Sequence, residues 1–103
     1  ALTLDFHRRE AALGGRPLDL TALEFEALSL FARSPGKVLD RDRLLERTKG
    51  LEWDPDNRSI DVLVSRLRQK LGDDPRRPVF LKTVRGSGYM YIGREAADGG
   101  EGA

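Results

Sequence analysis

Leu2, Leu4 and Phe6 alternate with Thr3, Asp5 and His7, the period-two pattern of a half-buried strand. A second strand is expected over 10–13 and a third over 16–20, with Gly14-Gly15 turning the chain between them into a small antiparallel sheet. At residue 21 the period changes. Leu23, Ala27, Leu28, Leu30 and Phe31 recur at helical spacing, opened by a Thr21–Glu24 capping box and a Leu20–Phe25 hydrophobic staple. Ser34-Pro35-Gly36 stops this helix. Residues 37–39 form an extended link, after which Asp40 caps a second helix to about residue 48, with Leu44 and Leu45 as its expected core contacts. The most sharply two-faced pattern covers 57–71. At about 100° per residue, Ile60, Val64, Leu67 and Leu71 form one apolar stripe. Asp56 or Asn57 is placed to cap this helix, and Gly72 with Pro75 ends it. After a connector at 75–78, residues 79–84 and 89–92 are rich in β-branched and aromatic side chains and predict two strands. Between them, the glycines of Arg85-Gly86-Ser87-Gly88 supply the positive φ of a tight hairpin, with Arg85 near its tip. The fold class is α+β: N-terminal antiparallel sheet, three helices, C-terminal hairpin. Residues 1–93 form one domain, and the acidic, glycine-rich 94–103 are expected to be a disordered tail.

Composition narrows the class of function. With 103 residues, 39% of them hydrophobic, the chain supports one domain with one modest core. It has no cysteine, so no disulfide framework and no thiolate zinc site; this fits a reducing compartment and a cytoplasmic location. No signal peptide and no apolar run near the ~20 residues of a membrane span is present, so no membrane partner is expected. The net charge of +1 hides a segregation. Residues 1–56 carry 9 basic and 11 acidic side chains, residues 57–94 carry 9 and 3, and residues 95–103 carry three acids. A local net +6 on the third helix and the hairpin is the electrostatic footprint of a polyanion site.

The polar face of the third helix fits that footprint. Arg58, Val62, Ser65, Arg66 and Gln69 lie opposite the apolar stripe, with Asp61 and Arg68 on one flank. A solvated face is usually laced with mixed charges, whereas Arg, Ser, Gln and a small apolar group are what reads base edges and phosphates in a major groove. Other chemistry is weaker. His7, the lone histidine, reads as a surface residue of the first strand. Glu24 is used in capping and Glu26 points away from it, so they are no paired-carboxylate site. Gly86-x-Gly88 lacks the following helix that a phosphate loop needs. No catalytic set, metal site or cofactor is expected, and no enzyme activity. Trp53, in an acidic loop, fits either packing against the domain or a protein-contact surface.

The specific residues go further. Leu20-Thr21, Glu24-Phe25, Pro35-Gly36-x-Val38, Arg41, Leu44-Leu45, Arg58-Ser59-Ile60-Asp61-Val62, Ser65-Arg66-Leu67-Arg68-x-Lys70-Leu71 and Thr83-Val84-Arg85-Gly86-x-Gly88-Tyr89 occur in this order. Together they resemble the DNA-binding effector domain of OmpR/PhoB response regulators, on the OmpR side of that family, from residue 2 to residue 92. The resemblance implies a winged helix-turn-helix with a four-stranded N-terminal sheet. It also implies control of transcription within a two-component system. The expected partners are double-stranded promoter DNA with direct repeats, a second copy bound head-to-tail, RNA polymerase, and a histidine kinase acting through a receiver domain. No receiver is present and the chain starts without Met, so the resemblance implies a piece of a two-domain regulator.

Carried over by position, residues 57–71 become the recognition helix in the major groove. Arg66 is the principal base-reading candidate, Val62 faces a thymine methyl, and Ser65 and Gln69 reach bases or phosphates. Arg58 and Ser59 meet phosphates at the helix N-terminus. Arg68 either contacts DNA or pairs with Asp61. Arg85 enters the minor groove, and Thr83 and Tyr89 hold backbone phosphates. Lys49, where many relatives have Trp, gives a charge contact, while Leu63, where many have a polar side chain, removes one. The loop with Leu51, Glu52, Trp53 and Asp54 matches the polymerase-contact segment. A winged helix turned protein-interaction module is the main rival reading, opposed by the cations on both helix and hairpin.

Overall fold

A computed structural model describes residues 2–51 and 59–93 together with the backbone of Ala97–Asp98. Three N-terminal strands, β1 (Leu2–Asp5), β2 (Glu10–Leu13) and β3 (Arg16–Leu18), pair antiparallel, with Leu2 opposite Leu13 and Ala11 opposite Leu18. Leu2 and Leu4 are buried, as the alternation predicts. β1 stops at Asp5, whose carboxylate accepts from the His7 and Arg8 amides. His7 is therefore an exposed turn residue and not part of the strand.

Helix α1 (Ala22–Arg33) starts at the expected capping box: the Thr21 hydroxyl accepts from the Glu24 amide at 3.1 Å and the Glu24 carboxylate accepts from the Thr21 amide at 2.9 Å. Its apolar face, with Phe25, Leu28 and Phe31, is the middle of the core. Val38–Leu39, read as a plain link, is a short strand β4. Asp40 caps α2 (Arg41–Arg47), accepting from the Arg43 amide at 2.7 Å. Leu44 is buried but Leu45 is 48% exposed, which corrects its placement in the core: the two lie about 100° apart on a helix that buries a single side.

Helix α3 (Ile60–Leu71) is capped by Ser59, not by residue 56 or 57. Ser59 holds extended φ/ψ and its hydroxyl accepts from the Val62 amide, so the helix cannot begin before it. Ile60, Val64, Leu67 and Leu71 are all buried, and Leu63 joins them at 1% exposure. Each full burial stabilises by about 1.5–3 kcal/mol, so this stripe alone holds the helix on the core. At the other end, Gly72 at φ 71° lets the Gly72 and Asp73 amides donate back to the Gln69 and Arg68 carbonyls.

The hairpin consists of β5 (Leu81–Val84), two residues shorter than the expected 79–84, and β6 (Gly88–Tyr91), shifted by one residue from the expected 89–92, and β6 also pairs with β4 to give the order β4-β6-β5. Gly88 has φ 145°, and a Cβ there would lie 2.3 Å from the Leu39 carbonyl oxygen, so the contact with β4 requires glycine. The first sheet has the four strands that the resemblance implies, but not all of them come from the N-terminal stretch. Its fourth strand is β7 (Ala97–Asp98), which pairs parallel with β1, so these two residues of the expected disordered tail are ordered by strand pairing. The rest of residues 94–103 lies outside the described residues. Three helices, an N-terminal sheet and a C-terminal hairpin wing make a winged helix-turn-helix.

Candidate nucleic-acid interface

With one side of α3 buried, the opposite side is left facing outward. Val62 (37% exposed), Ser65 and Gln69 are exposed and Arg66 is half-buried beside them. Arg85 is exposed at the tip of the wing, where the Ser87 amide donates to the Val84 carbonyl and Gly86 takes φ 76°. Lys49 is exposed beyond the end of α2, and Leu51 is half-buried against the core. Arg58, Glu52, Trp53 and Asp54 lie outside the described residues.

Several expected contacts are instead engaged inside the protein. Arg68 is only 9% exposed. Its guanidinium donates to the Leu81 carbonyl from Nε at 3.2 Å and Nη2 at 3.0 Å, and to the Thr83 hydroxyl at 2.7 Å. It therefore neither pairs with Asp61 nor faces outward, which corrects both expectations. The reason lies in the sheet. β5 is an edge strand, so the outward amide and carbonyl of Leu81 have no strand partner. Arg68 satisfies the carbonyl, and the buried carboxylate of Asp73 satisfies the amide at 2.8 Å while also accepting from the Val79 and Phe80 amides. Thr83 is an exposed residue, but its hydroxyl accepts from Arg68. Tyr89 is 6% exposed, and its hydroxyl donates to Asp61, which corrects its placement as a phosphate contact. Leu63 is a core residue, so no polar contact arises there.

Asp61, at the first turn of α3, joins three elements. Its carboxylate accepts from Arg41 of α2 at 3.0 and 3.2 Å and from the Tyr89 hydroxyl of β6. The guanidinia of Arg41 and Arg68 stand 5.8 and 5.5 Å from the centre of the Tyr89 ring. The Arg41 hydrogen bond holds the Asp61 carboxyl below its ordinary value, with the Tyr89 bond adding to the effect. Burial, followed by the bond to Asp61, pushes the Tyr89 phenol up. Asp61 is thus an ionised carboxylate whose charge is offset by Arg41 at the edge of a cationic face, and Tyr89 keeps the proton it donates. At the far end of the helix, Lys70 pairs with the buried Glu24 of the α1 capping box.

The arrangement brings Ser59, Val62, Ser65, Arg66 and Gln69 onto one helix face and sets the Arg85 wing beside it. Arg41, Asp73 and the Lys70–Glu24 pair were not singled out as site residues from the sequence. Spacing gives no signal for Asp73 or for the Arg41–Asp61 pair, whose members stand 20 residues apart. No group of histidine or acidic side chains able to hold a metal occurs among the described residues, and no described helix is long and apolar enough to cross a membrane.

Comparison with known proteins agrees with this geometry. Residues 15–91 match the family described as transcriptional regulatory protein, C terminal. The chain is 45% identical over 84 residues to the transcriptional regulatory protein AruR of Pseudomonas aeruginosa, covering 82% of this chain and 34% of that protein. It is 40% identical over 90 residues to the transcriptional regulatory protein RstA of Escherichia coli, covering 87% and 38%. It thus spans somewhat over a third of these relatives. Among solved structures, the Klebsiella pneumoniae RstA DNA-binding domain in complex with the RstA box superposes with a TM-score of 0.77 at 41% identity, covering 88% of this chain and 90% of that one. The DNA-binding domain of CpxR from E. coli gives 0.73 at 38%, covering 90% and 91%.

Proposed function

Since this chain belongs to the family of C-terminal domains of transcriptional regulatory proteins, in its OmpR/PhoB branch, we propose that it binds double-stranded promoter DNA in a sequence-specific manner. The observation that carries this reading is the outward face of α3: a helix buried along one whole side leaves Val62, Ser65, Arg66 and Gln69 exposed or half-exposed together beside a cationic wing. Side chains of this kind at this spacing suit a major groove, where a bidentate Arg–guanine contact is worth about 1–3 kcal/mol of discrimination. Arg66 reads a base, Val62 meets a thymine methyl, Ser65 and Gln69 contact bases or phosphates, and Ser59 with Arg58 meets phosphate at the helix N-terminus. Arg85 enters the minor groove and Lys49 makes a charge contact. Arg68, Thr83 and Tyr89 act by positioning.

The related RstA domain has been solved on its DNA box, which supports this reading for the shared fold. The wider partners follow the family: a second copy head-to-tail on direct repeats, RNA polymerase at Leu51 and residues 52–54, and a histidine kinase acting through a receiver domain. The setting is the cytoplasm, and the chain is not an enzyme. Selection from random duplexes, followed by anisotropy titrations of the enriched sequence at two salt concentrations, tests the proposal. An enriched motif bound far above scrambled DNA, with log K falling linearly in log[salt], is expected. Weak binding without enrichment by the full-length regulator would overturn it.

A further inference from the structure

Helix α2 sorts its charges. At about 100° per residue, Arg41 lies on the side of α3, Asp42 and Glu46 point away from buried Leu44, and Arg43 and Arg47 lie together on the side of α1. There they border a cleft of about 250 Å³ between α2, β4 and the C-terminal end of α1. Arg33, Ser34 and Lys37 line its other wall, and half-buried Leu30 with the buried Leu39 and Leu44 supplies its apolar lining. Arg43 and Arg47 are like charges at i and i+4, an arrangement that weakens a helix. None of the four side-chain charges forms an ion pair among the described residues, and the Arg33 guanidinium lies over the Phe6 ring at 4.5 Å. Four cations around one cleft, none of them in an ion pair among the described residues, form a surface that gains from an anion.

We propose that this cleft docks an acidic, amphipathic segment of a partner protein. The apolar lining favours a peptide over a nucleic acid: a phosphate backbone matches the cations but has nothing to place on half-buried Leu30, whereas a segment of alternating acidic and aliphatic residues matches both. The cleft lies on the flank of α2 away from Arg41 and α3, so a duplex held by α3 and the wing leaves it open. That the two ligands bind together rests on the DNA-binding reading; the cleft itself does not.

The test uses a fluorescein-labelled peptide of Glu-Glu-Leu-Leu repeats, titrated by anisotropy against the 103-residue chain and mapped by ¹⁵N-edited NMR. Amide shifts are expected at residues 30–47 and not along α3 or the wing. Arg43→Gln/Arg47→Gln is expected to weaken binding at least about fivefold, and Arg33→Gln/Lys37→Gln comparably, with the spectrum otherwise unchanged. Added salt weakens the complex. Equal affinity in both double variants, or equal binding of an all-glutamate peptide, would overturn the proposal, the latter by reducing it to ion exchange. Shifts confined to α3 would do the same. In a final arm, the duplex enriched by selection is added: retention of the peptide supports simultaneous binding, and displacement places the cleft within the DNA surface. Failure of any duplex to bind, with the peptide still mapped to residues 30–47, refutes the DNA reading alone.

Discussion

Replacing Arg68 by methionine separates bracing from reading. Methionine keeps most of the aliphatic stem and removes three hydrogen bonds, two to the Leu81 carbonyl and one to the Thr83 hydroxyl, together with the cation over Tyr89. A hydrogen bond to a charged group is worth about 1.5–3 kcal/mol, and a buried acceptor left without a donor costs about 1–3. These contributions overlap, and relief of the guanidinium's desolvation offsets part of them. A net loss of roughly 2–4 kcal/mol is expected, read as a lower urea midpoint at unchanged m-value. Thr83→Val removes only the hydroxyl and is expected to cost about 0.5–1.5 kcal/mol. The double variant should cost less than the sum of the two, because both remove the same bond. DNA affinity, measured well below the unfolding midpoint, should fall for all sequences together with no change in base preference. If Arg68→Met kept wild-type stability within about 0.5 kcal/mol and altered preference at one base pair, the guanidinium would be a reading group and the brace would be refuted.

Arg66→Ala is expected to do the opposite: stability changes by less than about 1 kcal/mol, the range of a partly exposed polar contact, while affinity for the selected site falls by about 1–3 kcal/mol and preference relaxes at one base pair. Competition titrations against single-base variants of the site check this. Asp61→Asn changes the acid limb of stability. Because Arg41 and Tyr89 hold the Asp61 carboxyl below its unfolded value, its contribution is complete above the ordinary carboxylate range, about pH 4, and is lost as pH falls through the folded value. Urea unfolding at pH 6, 4 and 3 should show the wild type losing stability faster than Asp61→Asn, and parallel curves would rule the linkage out. Gly88→Ala forces a Cβ against the Leu39 carbonyl at a φ that L residues rarely adopt. A loss of more than about 2 kcal/mol is expected, with amide exchange accelerating first in β4 and β6.

What the sequence revealed depended on whether the determining interaction was local. The α1 boundary was legible because a capping box is complete within four residues, Thr21 to Glu24. The buried stripe of α3 was legible because helical periodicity reports which side faces the core. Where the partner was distant in sequence, the signal failed. Arg68 stands on the polar flank of its helix, and nothing local says that an edge-strand carbonyl thirteen residues away will draw it inward. Asp73 reads as a loop acid until three amides six to eight residues away are seen to converge on it. Leu45 follows Leu44 and shares its chemistry, and only the packing of α2 decides which one is buried. The β1–β7 pairing escaped for the same reason: Ala97 and Asp98 carry no strand pattern, and their partner strand is at the other end of the chain. At the interface, sequence correctly placed Val62, Ser65 and Gln69 outward, yet it ranked Arg68 and Tyr89 with them because polarity alone does not distinguish a group that meets solvent from one that meets the backbone.

The clamp from Arg68 to Leu81 and Thr83, with the Asp61–Tyr89 bond at the other end of the helix, joins α3 to both strands of the wing. The two reading elements consequently behave as the jaws of a fixed caliper. On the proposed binding mode, these contacts resist a change of spacing to suit a site in which the preferred major-groove and minor-groove steps lie one base pair nearer or farther apart. On such a site, the adjustment falls on the duplex, through twist and groove width, and its cost is set by how deformable those steps are. On that binding mode, the domain measures a distance along DNA as well as reading bases, and base pairs it never touches enter its specificity through their stiffness.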